Sequence, residues 1–195
     1  SPYDPAKHVW VIDDQLHTIH KFTYDGKLVM TLGTSGVRGR DTGKLFDRPT
    51  DIDWLPDGTF FISDGYGGVR VAKFDKDGRF IKHWGSTGTE PGQFRGVKAL
   101  AIDAQGNVYA ADAGNKRIQV FDGEGTFKTQ FGNVGTPLAM CVTRGATPHL
   151  YIAHAGDTDG MDDAAIYKVR LDGTPVGKFG AAGKLPKEFG LANSI

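Results

Sequence analysis

The chain has a single cysteine, Cys141, so no intramolecular disulfide can form and a disulfide-stapled scaffold is excluded. It has no charge excess: 23 Lys and Arg stand against 23 Asp and Glu. A neutral chain lacks the global basic footprint of a non-specific nucleic-acid binder or of a polybasic membrane surface. No apolar run approaches the length of a membrane span. Positions 1–5 carry neither a basic nor an apolar leader segment, so no signal peptide is expected within this sequence. No window shows a convincing amphipathic-helix period. Glycine, by contrast, is abundant, at 28 of 195 residues, about twice the usual share. With nine prolines and 39% hydrophobic residues, this is the composition of many short strands joined by tight turns around a packed core.

Self-comparison is the most informative test. Turn glycines fall at Gly26, Gly78, Gly125 and Gly173, in steps of 52, 47 and 48. Gly33, Gly85, Gly132 and Gly180 keep the same steps. The repeats cover about 8–33 together with 189–195, 47–85, 95–132 and 135–180, one domain over 1–195. Within the second repeat, 51–54, 60–64, 69–74 and 80–84 alternate with strand period. Asp-Gly pairs between them mark hairpin turns, because glycine accepts positive φ. A four-stranded antiparallel unit repeating every 40–50 residues predicts an all-β fold, a β-propeller with about four blades present. Joined end to end, the termini read like an uninterrupted repeat. That leaves two readings open: a closed four-bladed ring whose last strand completes the first blade, or a piece of a longer ring. The second is favoured, since propellers carry four to eight blades and four is the rare end.

The stretch Gly114-Asn115-Lys116-Arg117-Ile118-Gln119-Val120-Phe121, after Ala111-Asp112, resembles an NHL repeat, and 63–85 carries the same frame. The resemblance covers nearly the whole chain and implies a propeller, usually of six blades. Arg48-Pro49-Thr50-Asp51, Ser63-Asp64-Gly65-Tyr66, Trp84-Gly85 and Pro91-Gly92-Gln93-Phe94 run in the order found in peptidyl-α-hydroxyglycine α-amidating lyases. Such enzymes split a peptidyl-α-hydroxyglycine into a peptide amide and glyoxylate, with a zinc on three histidines, a structural calcium and a tyrosine base. The resemblance places Tyr66 at the catalytic tyrosine. It places Lys98 and Asn193 where zinc histidines belong, Ser194 at a calcium aspartate, and Ala113 at a substrate arginine. A protonated lysine repels a cation, so zinc is not expected. The frame is retained without the metal chemistry. An extracytoplasmic location is implied by the resemblance alone.

Other candidates carry plainer readings beside the functional ones. Asp13, Asp64 and Asp112 recur at the end of a second strand and are expected to cap the turn that follows. His154 replaces the aspartate in the fourth repeat and is a candidate ligand-binding residue. Asp157, Asp159, Asp162 and Asp163 place four carboxylates in seven residues, a candidate calcium loop that does not fit the EF-hand spacing. Arg38, Arg40, Lys44 and Arg48 present positive charge in a Gly-rich link, suited to a carboxylate or phosphate. Without interleaved aromatics, RNA is a poor partner. Phe46, Phe94 and Phe189 recur ahead of first strands and are expected to pack between blades. The favoured function is a binding scaffold for a protein, peptide or small ligand on one propeller face, using Arg48, Lys98 and His154. The alternative is an amidating-lyase-like or other metal-dependent enzyme using Tyr66.

Overall fold

The computed structural model describes residues 1–40, 43–154, 164–183, 186 and 188–189. The alternating segments form four antiparallel sheets, each with its strands in sequence order. The first is β1 (Val9–Asp13), β2 (Thr18–Phe22) and β3 (Leu28–Leu32). The second is β4 (Pro49–Trp54), β5 (Phe60–Asp64), β6 (Arg70–Phe74) and β7 (Phe80–Trp84). Short strands β8 (Ser86–Thr87) and β9 (Gln93–Phe94) lead to the third, β10 (Val97–Ile102), β11 (Val108–Asp112), β12 (Arg117–Phe121) and β13 (Phe127–Phe131). The fourth is β14 (Pro137–Val142), β15 (His149–His154), β16 (Ala165–Arg170) and β17 (Pro175–Phe179), followed by β18 (Ala181–Ala182) and β19 (Glu188–Phe189). The all-β propeller expectation holds. The pairing of 191–195 with the first blade lies outside the described residues.

The second blade differs from its expected bounds at two strands. β4 begins earlier, at Pro49, and β6 begins at Arg70, because Val69 turns the chain with a φ of 44°. The Asp-Gly pairs do not make two-residue turns. The amide of Gly78 bonds back to the Asp75 carbonyl at 3.0 Å, and the register slips at Lys73/Phe74. This is a type I turn closed by a left-handed glycine, φ 79° at Gly78, with a bulge beside it. Asp75 stabilises it by accepting from the amides of Asp77 and Arg79. Asp122 does the same for Glu124 and Thr126 one blade later.

The core lies between blades. Ile19 and Leu32 of the first meet Phe60, Ile62 and Phe74 of the second. Phe61 and Val71 meet Val108, Ala110 and Phe121 of the third, and Tyr109, Ile118 and Val120 meet Leu150, Ile152 and Val169 of the fourth. Phe46 and Phe94 are fully buried in the first two of these seams, and Phe189 packs against Ala139, Ala153 and Ile166. Phe46 and Phe94 each contribute roughly 1.5–3 kcal/mol by burial. The innermost strands β4, β10 and β14 stand side by side without main-chain pairing and line a central channel. Asp51 and Asp53 clasp β4 to β10: their carboxylates accept the amides of Leu100 and Ile102, both at 2.8 Å.

Candidate functional site

Innermost strands begin at one mouth of the channel and end at the other. Pro49, Val97 and Pro137 occupy equivalent positions, each paired across its blade with Asp64, Asp112 and His154 respectively. The next residue in each strand, Thr50, Lys98 and Leu138, therefore points to the same mouth. With Ile12, Asp14 and Tyr66 they line a cleft of about 320 Å³. The opposite mouth is a wider cavity of about 520 Å³, bordered by Asp51, Asp53, Cys141 and Arg144.

Tyr66 sits on the loop that follows β5. Amides of Gly65 and Tyr66 bond to the Arg48 carbonyl, and those of Gly67 and Gly68 to the Asp47 carbonyl. Gly65 has to be glycine, since a Cβ there would lie 1.8 Å from the Val97 carbonyl oxygen. That close approach sets Tyr66 beside Lys98. The Lys98 Nζ lies 2.7 Å from the centre of the Tyr66 ring, and the Arg48 guanidinium carbon lies 4.1 Å from it. Tyr66 itself is about half exposed, at 52%.

Arg48 is held on three sides. Its φ is 66°, its amide donates to His17 Nδ1 at 3.2 Å, and its Nε and Nη2 donate to Asp14 Oδ2 at 3.1 and 2.7 Å. Lys98 has no carboxylate within ion-pair distance among the described residues. Burial pushes its ammonium below the usual lysine value. The Tyr66 side chain and the more distant Asp14 carboxylate oppose that fall, while the Arg48 guanidinium adds to it. Lys98 and Tyr66 thus line one cleft, with the Arg48 guanidinium beside it against the Tyr66 ring and Asp14.

His154 is elsewhere and does a different job. Its Nδ1 accepts the Thr136 amide at 2.6 Å. Asp64 accepts the Asp47 amide at 2.7 Å and Asp112 the Arg95 amide at 2.8 Å, the same bond in the two preceding blades. Among the described residues only Asp13 caps its own following turn, through the amides of Gln15 and Leu16. Asp64 and Asp112 instead tie the link before the first strand to the blade, and each also binds an arginine. Arg70, almost fully buried, donates to Asp64 at 3.0 Å, to the Leu45 carbonyl at 2.7 Å and to the Arg40 carbonyl. Arg117 donates to Asp112 at 2.8 Å and to the carbonyls of Thr89, Glu90 and Gln93. Burial raises the Asp64 carboxyl, and Arg70 opposes that rise. His149 and Cys141 do not join His154: His149 lies at the far end of β15, and Cys141 pairs with Tyr151.

Asp157, Asp159, Asp162, Asp163, Asn193 and Ser194 lie outside the described residues. The position of Lys98 does not suit a zinc ion, because an ammonium repels a cation and cannot ligate it. Among the described residues no group of three His, Cys, Asp or Glu could hold a metal ion. No helix among them is long and apolar enough to cross a membrane. Sequence patterning does not find Asp14 and His17, which fix Arg48. Asp14 stands beside the recurring Asp13, and no repeat marks it. Arg70 and Arg117 do carry a signal, since an arginine opens the third strand in two successive blades.

Residues 94–121 match the NHL repeat. The chain fits the NHL propeller family. It is 38% identical over 121 residues to human NHL repeat-containing protein 3, covering 58% of this chain and 35% of that protein. It is 34% identical over 167 residues to peptidyl-alpha-hydroxyglycine alpha-amidating lyase 1 of Drosophila melanogaster, covering 77% of this chain and 30% of that protein. The chain spans about a third of the length of these curated relatives. Its fold is shared with a streptogramin B lyase structure, at a TM-score of 0.64 and 13% identity over 90% of this chain and 52% of that one. A catalytically inactive virginiamycin B lyase from Staphylococcus aureus gives a TM-score of 0.61 at 15% identity, over 98% and 55% of the two chains.

Proposed function

We propose that this NHL chain is a binding module whose channel-mouth cleft takes a carboxylate group of a peptide or small ligand. The observation that carries this reading is the convergence of Arg48 and Lys98 on Tyr66, with one carboxylate, Asp14, for two cations. The cleft is left with one positive charge to match, over walls supplied by Ile12, Pro49 and Leu138. A half-buried cation in such a place binds an anion more strongly than a surface lysine does. Calorimetry with a short peptide bearing a free C-terminal carboxylate, against the same peptide amidated, tests it. The free carboxylate should bind, and Lys98→Met should weaken it about tenfold, the loss of one charged hydrogen bond. Equal binding of the amidated peptide would overturn the reading.

A second reading, an amidating-lyase-like activity, is favoured by Tyr66 in the cleft and by the 34% identity to the fly lyase. Turnover of a peptidyl-α-hydroxyglycine that is lost in Tyr66→Phe would support it. An ammonium at Lys98 does not fit the zinc of that family.

A further inference from the structure

The geometry points to Lys98 as an imine-forming amine, one whose Nζ captures the carbonyl carbon of a small 2-oxo acid while Arg48 holds the acid's carboxylate. This rests on the carboxylate-binding reading of the same cleft and adds a covalent step to it.

Three observations carry it. Lys98 lacks an ion-pair partner among the described residues and is half-buried with the Arg48 guanidinium nearby, so its nitrogen is poorly solvated as an ammonium even though the Tyr66 ring favours the charge. Its lowered basicity, caused first by burial, agrees with that placement. A desolvated lysine beside a second cation is the usual setting of an imine-forming residue. Second, Arg48 spends Nε and Nη2 on Asp14, and Nη1 has no bond among the described residues. Third, the cleft holds about 320 Å³, room for a molecule of a few heavy atoms.

The reaction balances without an oxidant or a metal. The neutral Nζ attacks the carbonyl carbon and forms a C–N bond, and the C=O pair moves to oxygen, which takes a proton. The nitrogen gives up one proton to leave a carbinolamine, whose hydroxyl takes a second proton. The nitrogen lone pair then forms the C=N bond as the C–O bond breaks and water leaves, and loss of the remaining N–H proton gives the neutral imine. Amine and oxo acid become imine and water. Tyr66 brings a proton-carrying hydroxyl on the ring that Lys98 touches.

The test treats the intact chain with pyruvate and cyanoborohydride and locates reduced adducts by peptide mass spectrometry. Lactate, which has the carboxylate and no carbonyl, is titrated alongside by ligand-observed NMR. Lys98 should be modified at least about tenfold faster than exposed lysines such as Lys76. Pyruvamide, which lacks the charge, should label it about tenfold more slowly than pyruvate. Lys98→Arg, which keeps a cation but has no imine-forming amine, should lose that adduct. Labelling of Lys98 no faster than Lys76, or equal labelling by pyruvamide, overturns the imine assignment. If lactate binds and Lys98 stays unlabelled, the imine assignment alone falls. If lactate does not bind, the carboxylate-binding reading falls.

Discussion

Raising the pH from 4.5 to 7.5 should destabilise this fold, the reverse of the usual carboxylate behaviour. Asp51 and Asp53 lie two apart on β4, so both side chains face β10. Each accepts its successor's amide and one amide from β10. Burial nevertheless pushes Asp51 up to about 7 and Asp53 up to about 6. The folded chain therefore keeps protons that the unfolded chain releases near pH 4, and stability is lost as pH rises between about 4 and 7. One pKa unit corresponds to 1.36 kcal/mol, so the shift at Asp51 sets a ceiling of about 4 kcal/mol. Both carboxylates keep some exposure in the channel and Asp53 contributes to the rise at Asp51, so a joint loss of a few kcal/mol is expected. That is a large share of a usual stability of roughly 5–15 kcal/mol. Urea denaturation at four pH values across the window measures it. The carboxylates with lowered values, Asp4, Asp77, Asp122, Glu124 and Asp172, act at the acid end of the window and below it with the opposite sign. His83, lowered by burial and by Arg70, also opposes the trend, and comparison with Asp51→Asn removes its effect. In that variant one amide loses its acceptor, costing about 1–3 kcal/mol at low pH. The variant cannot ionise at position 51 and keeps only the Asp53 loss, so its stability should fall less steeply than that of the wild type and cross the wild-type curve. A wild-type stability that rises from pH 4.5 to 7, or a variant with the wild-type slope, refutes the reasoning.

Three further outcomes follow from the same contacts. Arg70→Ala removes the partner of a buried carboxylate and two carbonyl bonds to the link ahead of Arg48, and should cost about 3–5 kcal/mol in urea unfolding; a loss under about 1 kcal/mol would contradict that role. His154→Ala leaves the Thr136 amide without its acceptor and should cost about 1–3 kcal/mol, while lactate affinity at the cleft stays at the wild-type value in NMR titration. Weaker lactate binding would return His154 to the site. Gly65→Ala drives a Cβ into the Val97 carbonyl and should both destabilise the chain by about 1–3 kcal/mol and slow adduct formation at Lys98, read by thermal unfolding and mass spectrometry.

The repeat explains why so much of the fold is legible in the sequence. Two glycine ladders held in register locate the blades and most strand bounds, and in the first of them every turn places a left-handed glycine, Gly26, Gly78, Gly125 and Gly173, at a fixed offset. The same ladders turn linear positions into rings: Thr50, Lys98 and Leu138 at one channel mouth, Asp64, Asp112 and His154 one strand out. In the second ring His154 breaks the pattern and stands out from the aligned repeats alone, whereas Lys98, between a threonine and a leucine, is singled out only by the family resemblance. Their meanings diverge only in three dimensions. His154 accepts the very amide bond its neighbours' aspartates accept, so a change of residue type conceals a constant role. Lys98 replaces a hydroxyl and an aliphatic group with a cation, and the blade beside it supplies Tyr66 and Arg48 through a glycine loop pressed onto the Val97 carbonyl. Arg48 is aimed by Asp14 and His17 from a different blade, across 34 and 31 residues, at positions no other repeat copies. A repeat pattern reports what is shared among blades, and a site assembled from unshared residues is visible only where the blades meet.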